Sequence, residues 1–329
     1  MGELSPESTP AVWALAWEKS GVSELGSLAD IRAAYVRRGT RIWIDVHGAD
    51  HDLLSALGEL LQLHPLVVED IRESNQRAKI ELTGDALHLV MFALEYAGEL
   101  VAFEYDIAVG ERFLLTSHGS EGKCPRAAPF RRRDASAHLA GGTDYTLWAL
   151  CDWLVDGYFP VFDRLGDEID ELESDIMARP NGMLVQRLFI IRRELMTIRH
   201  AVSPQREIFN QLTNRDLRLI RPERIIYFRD VYDHLIRLTD ELDSFRELVS
   251  TTLDIYLSQV NNNLAEIMKR LTAVTVILAG IGAVAGIFGM SEAGLAFSFR
   301  EAAGFWLVSL GVVSLGALAL IYFRRIGWI

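Results

Sequence analysis

Cysteine is almost missing from this chain: Cys124 and Cys151 are the only two in 329 residues. Two thiols so far apart, with no histidine cluster beside them, exclude a disulfide framework and a structural zinc site. Positive charge is also short. The balance of 33 Lys and Arg against 45 Asp and Glu leaves a net charge of -12. That argues against nucleic acid or an anionic membrane surface as partner, and for attraction of cations. Residues 1 to 10 have neither the basic nor the apolar region of a secretory signal, so none is expected there. No Ser-His-Asp order, phosphate-binding loop or metal-hydrolase spacing occurs, so an enzyme is not expected. The last proline before the C-terminal region is Pro222. Nothing beyond it stops a helix before Met290, which allows one rod of about 68 residues, or ~100 Å.

Two apolar stretches stand out against this acidic background, one over 271–290 and one over 305–323. Neither holds a charged side chain, and charges return at Lys269-Arg270 and Arg324-Arg325. Each is close to the ~20 residues that a helix needs to cross ~30 Å of hydrocarbon. The loop between them, 291–304, offers only Glu292, Arg300 and Glu301. The basic flanks therefore predict a multi-pass protein of the cell's inner (plasma) membrane. The N-terminal bulk, the tail 324–329 and both termini are expected in the cytoplasm.

Ahead of the first span the pattern changes once. Residues 1–140 read as a mixed α/β domain. Short β-branched and aromatic runs at Val12–Trp17, Arg41–Val46, Leu87–Tyr96, Val101–Val109 and Phe113–Ser117 predict strands. Helical spacing covers Asp30–Val36, Asp52–Leu63 and Pro65–Ile71. Gly119–Pro129 reads as a loop, and Arg131-Arg132-Arg133 as a solvated face or an inter-subunit contact.

Residues 141–270 read as long stalk helices. Val155, Phe159, Phe162, Leu165, Ile169, Leu172 and Ile176 form a coiled-coil-like stripe. A second helix is expected from Met183 to His200, with Pro204 bending or restarting it. A third stripe runs unbroken from Val231 through Leu242, Val249 and Leu264 to Leu271. A rod this long cannot bury its stripe in one small domain, and two spans are too few to line a wide pore. Both points favour a homo-oligomer around an axis. Seven carboxylates from Asp163 to Asp175 make either a solvated acidic face or a cation-attracting one.

Several motifs then occur in a fixed order. They are His64-Pro-Leu-Val-Val-Glu-Asp-Ile71, Gln76-Arg-Ala-Lys79, Leu154-Val-Asp-Gly-Tyr-Phe159, Tyr227-Phe-Arg-Asp-Val-Tyr-Asp-His234, Tyr256-Leu-Ser, Asn262 and Met268-Lys-Arg-Leu-Thr272. After them come Ala285-Gly-Ile-Phe-Gly-Met290 and the tail Arg324-Arg-Ile-Gly-Trp328. Together they resemble the CorA family of divalent-cation channels from about residue 40 onward. The resemblance implies a funnel-shaped homopentamer with a cytosolic α/β domain, in which the first span of each chain lines the pore. It implies passage of hydrated Mg²⁺, and of Co²⁺ or Ni²⁺, driven by the membrane potential. It also implies a hydrophobic gate at Met268 and Leu271, and a regulatory Mg²⁺ held between Asp70 of one subunit and Asp230 of the next. Glu69, Asp233 and His234 are possible helpers.

The chain also departs from the family pattern. The family's Gly-Met-Asn loop reads Gly289-Met290-Ser291 here, followed by Glu292. Serine offers a shorter hydroxyl in place of an amide oxygen. Glu292 either adds a negative ring that attracts cations or only solvates the loop. Ala265 stands where the family has a polar Asn. Ala279-Gly280 and Gly282 replace its mid-span Met-Pro and Thr. The glycines of the spans allow close helix packing in lipid, or else a smoother conduit. A Zn²⁺ transporter of the ZntB type, whose triplet also departs from Gly-Met-Asn, and a non-conducting membrane sensor are the alternatives. No Cys or His lies in the spans or loop to bind zinc directly.

Overall fold

The computed structural model describes residues 12–48, 51–96, 99–119, 132–178, 181–215, 217–289 and 301–328. Seven strands and three helices form the N-terminal layer: β1 (Val12–Glu18), β2 (Gly21–Leu25), α1 (Leu28–Val36), β3 (Arg41–His47), α2 (His51–Leu61), α3 (Pro65–Glu73), β4 (Lys79–Thr83), β5 (Ala86–Tyr96), β6 (Leu100–Val109) and β7 (Phe113–His118). The strands make one sheet in the order β2-β1-β3-β7-β6-β5-β4. Only the β3–β7 pair is parallel.

Both outer strands escape the sequence pattern for the same reason. β2 and β4 are five residues long, partly exposed, and carry polar residues such as Ser23, Lys79 and Glu81. Short, charged edges are how sheets discourage pairing with other chains. The central strands are rich in apolar residues because both faces are largely covered, with Asp45, His88, Asp106 and His118 buried among them. Against one face pack Leu54, Leu57 and Leu61 of α2 and Val67 and Ile71 of α3. A methyl group at Gly58 would meet Val68 Cγ2 at 2.6 Å, so glycine lets α2 and α3 approach closely.

The helices that follow are α4 (Arg132–Gly141), α5 (Thr143–Asp156), α6 (Phe159–Ala178), α7 (Gly182–Asn214), α8 (Ile225–Gly289) and α9 (Glu301–Arg325). The stripe that begins at Val155 is cut at Gly157-Tyr158, and α6 restarts with Pro160 in its first turn, where a missing N–H costs nothing. Tyr158 is fully buried there. Its hydroxyl donates to the Phe92 carbonyl and lies 3.0 Å from Gln205 Oε1.

Pro204 does not end its helix: α7 runs 33 residues through it. An internal proline costs ~3 kcal/mol or more. Val202, Gln205, Ile208 and Phe209 are buried on both sides of it and hold the helix together. Gln205 Nε2 also donates to the Ala201 carbonyl at 2.8 Å.

The chain separates into two compact units. The first comprises 1–173 and 183–250. In it Phe162 and Phe245 pack at 6.1 Å, and Phe209 and Phe228 at 6.5 Å. The second comprises 174–182 and 251–329. In it Ile281 Cδ1 lies 3.3 Å from where a side chain at Gly316 would begin, so α9 comes close to α8 through a glycine. At Gly280, Gly282, Gly286 and Gly311 a methyl group would meet open space within the single chain.

Candidate functional site

The rod expected after Pro222 is present. A 3-10 turn at Pro222–Arg224 leads directly into α8, which is 65 residues long, roughly 100 Å. Among the described residues, one helix is long and apolar enough to cross a bilayer, this one, and only 6% of its most apolar part is buried. Ala265, Met268, Leu271, Ala279 and Gly282 are all exposed in the single chain, Met268 by 56% and Leu271 by 57%. At 100° per residue they share an arc of about 120°. Ile281, which faces Gly316, lies on the opposite side. Thr272 and Thr275 fall on the same arc and were not singled out from the sequence. They are its hydroxyl groups, and Thr275 Oγ1 donates back to the Leu271 carbonyl at 2.8 Å. Gly289 closes α8. Met290, Ser291 and Glu292 lie outside the described residues, as do Cys124 and residues 120–131.

Asp70 and Asp230 belong to two separate clusters within one chain. Asp70 sits on α3, whose start is fixed by Pro65 and by His64 Nδ1 accepting from the Leu66 N–H at 3.2 Å. Lys79 Nζ donates to Asp70 Oδ2 at 2.6 Å and lies 3.4 Å from Glu81 Oε2. Burial opposes the charge on Lys79, but the Asp70 hydrogen bond and the two carboxylates outweigh it and raise its pKa. Beside this pair, Glu104 takes the Gln76 N–H on both oxygens at 3.1 Å. Burial and then the neighbouring Asp106 push the Glu104 carboxyl up to about 7.

Asp230 sits one turn into α8, exposed, and groups with Asp152 of α5 and His234 of α8. Their ligand atoms lie within 4.8 Å of one another. Asp156 joins from one turn further along α5, 4.0 Å from His234 Nδ1. Burial, reinforced by Asp156 and Asp230 and opposed by His234, pushes Asp152 up to about 6. Burial and Asp230 likewise raise Asp156. The three carboxylates repel one another as anions, which a proton or a cation relieves, and the His234 imidazole works against that repulsion. Asp152 and Asp156 were missed in the sequence. The signal available was a pair of i,i+4 spacings, Asp152/Asp156 on one helix and Asp230/His234 on another. Glu69 and Asp233 are exposed and belong to neither group. The α6 carboxylates are largely solvent-facing, and Glu171 pairs with Arg187 at 2.9 Å.

A rod of this length, an exposed apolar arc and a carboxylate cluster at the rod's start invite comparison with known proteins. The model of the family described as CorA-like Mg2+ transporter protein matches residues 39–325. This chain belongs to that family. It is 33% identical over 301 residues to the cobalt/magnesium transport protein CorA of Thermotoga maritima, covering 88% of this chain and 84% of that one. It is 24% identical over 292 residues to the protein of the same name from Methanocaldococcus jannaschii, covering 88% and 91%. Among solved structures, the complete structure of the M. jannaschii CorA magnesium transporter has the same fold. It superposes with a TM-score of 0.80 at 22% identity, over 97% of this chain and 98% of that chain. The family is one of membrane ion transporters and not of enzymes.

Proposed function

We propose that this chain is one subunit of a homopentameric channel for hydrated divalent cations, Mg²⁺ first and Co²⁺ or Ni²⁺ with it. The observation that carries the proposal is the second half of α8, a charge-free helix that leaves its apolar arc exposed. In this reading the chain crosses the membrane over 271–290 and returns over 305–323. Both termini stay in the cytoplasm. Five copies of α8 surround the axis, so that Ala265, Met268, Leu271, Thr275, Ala279 and Gly282 line the path. Rings of Met268 and Leu271 exclude water and close the pore until it dilates. Gly289, Met290, Ser291 and Glu292 form the mouth, where backbone carbonyls, a hydroxyl ring and a carboxylate ring hold an ion through its water shell. That suits Mg²⁺, which gives up water reluctantly. An inside-negative potential supplies about 2.3 kcal/mol per charge per 100 mV, twice that for a divalent ion.

Regulation follows from the carboxylates. Asp230, Asp152 and His234 from one subunit, with Asp70 from its neighbour, hold cytosolic Mg²⁺ between subunits. A bridging dication turns their repulsion into attraction and favours the closed packing. When cytosolic Mg²⁺ falls, the ion leaves and the subunits part. Uptake of Mg²⁺, Co²⁺, Ni²⁺ and Zn²⁺ into proteoliposomes under an imposed inside-negative potential tests the function. Mg²⁺ uptake is expected. Uptake of Zn²⁺ alone would favour the zinc reading, and uptake of none would favour a non-conducting sensor.

A further inference from the structure

The Asp70 cluster carries a second, different site. We propose that Asp70, Glu81 and His88 form an intrasubunit site for a transition-metal dication of the Zn²⁺, Co²⁺ or Ni²⁺ class, with the Lys79 ammonium as a tethered competitor for the same carboxylates. The placement comes from the sheet. Glu81 and His88 are direct cross-strand partners on β4 and β5, so both point to one face. Asp70 reaches the same face from α3, as its contact with Lys79 requires. The ligand atoms of the three lie within 4.8 Å of one another.

His88 makes this more than an acidic patch. Its residue exposure is 0%. Its Nε2 is held by Asp106 Oδ1 at 3.0 Å, while its buried Nδ1 has no hydrogen-bond partner. A buried polar nitrogen without a partner is costly. With Nε2 held by Asp106, Nδ1 is the nitrogen we assign to the metal; a dication there would remove that cost, and Asp106 would orient the ring from behind, as carboxylates do for metal-bound imidazoles. One imidazole and two carboxylates select zinc-like ions over Mg²⁺, which prefers oxygen ligands and its own water. Three protein ligands leave a position for water. Lys79 has a way out, since its side chain is 24% exposed.

The test is a Co²⁺ titration of the full-length protein in detergent, followed by visible absorption. A hydrated ion in the pore gives only a weak octahedral band, whereas a four- or five-coordinate site with an imidazole gives a strong one. We expect a strong band that Zn²⁺ displaces at far lower concentration than Mg²⁺, whose proposed inter-subunit site shares only Asp70 with this one. Glu81→Gln and His88→Gln should each weaken Co²⁺ binding about tenfold or more, and Lys79→Met should tighten it several-fold. His88 is buried and its substitution can unfold the domain, so Glu81, on an exposed edge strand, is the deciding position. Asp230→Ala should leave the band unchanged, which separates this site from the inter-subunit Mg²⁺ reading. The proposal is overturned if Glu81→Gln and Lys79→Met leave Co²⁺ affinity unaltered, or if Asp230→Ala abolishes the band.

Discussion

The two halves of α8 carry the same 3/4 spacing of apolar residues and meet opposite surroundings. Val231, Leu235, Leu238 and Leu242 are at most 1% exposed, whereas Leu264, Ile267, Met268 and Leu271 are 54% to 60% exposed. Spacing alone marks a stripe and says nothing of what covers it. The other faces of the helix decide. From Arg229 to Glu247 they carry nine charged residues and face water, so the stripe is the only apolar side and packs inward. From Leu271 to Gly289 there is no charge on any face. That half has no polar side to give to water, and lipid or neighbouring copies must cover it.

Truncation breaks the symmetry most strongly. Leu238→Ala should cost about 2–5 kcal/mol of stability by removing buried methyl groups. Leu278→Ala, at a 63% exposed position in the other half, should change it by about 0.5 kcal/mol or less. Denaturation of the detergent-solubilised chain measures both, and equal losses would show that the two halves are buried alike.

Asp230→Ala acts at the junction of ion and helix. It should raise the Mg²⁺ concentration needed to protect the protein from proteolysis by about tenfold or more. Unchanged protection would count against the regulatory reading. Proton competition gives a smaller effect at the same cluster. Asp152, raised to about 6 chiefly by burial, holds a proton below that pH. The Mg²⁺ requirement should therefore rise as pH falls through about 6 and flatten in Asp152→Asn.

Glu104 gives a stability counterpart. Its folded pKa, about 7, lies above its ordinary value of 4.5, so the fold binds the extra proton and loses stability as pH rises between those values. Glu104→Gln should melt higher than the parent at pH 8 and no higher at pH 4. A parallel pH dependence in both proteins would contradict this.

How much was legible follows the same division. The long rod, the central strands and α3 show in the sequence because one solvent or one core dictates their pattern over many residues. β2 and β4 do not, because edge strands are short and half wet. Missing β4 also hid Glu81 from His88, since a cross-strand contact exists only once the register is known. Asp152 and Asp230 are 78 positions apart and meet only through the packing of α5 and α8. That α7 continues past His200 and through Pro204 was not legible, because the sequence shows the lost hydrogen bond and not the burial around it.

The central claim is that one arc of α8 faces the ions. Few native thiols make it directly testable: Cys151 is buried and free, and Cys124 can be replaced by Ser. Single cysteines at Thr275 and at Ile281 are then treated with a charged thiol reagent during Mg²⁺ uptake. The account predicts block at Thr275 and continued flux at Ile281. Block at Ile281 with free flux at Thr275 would contradict it.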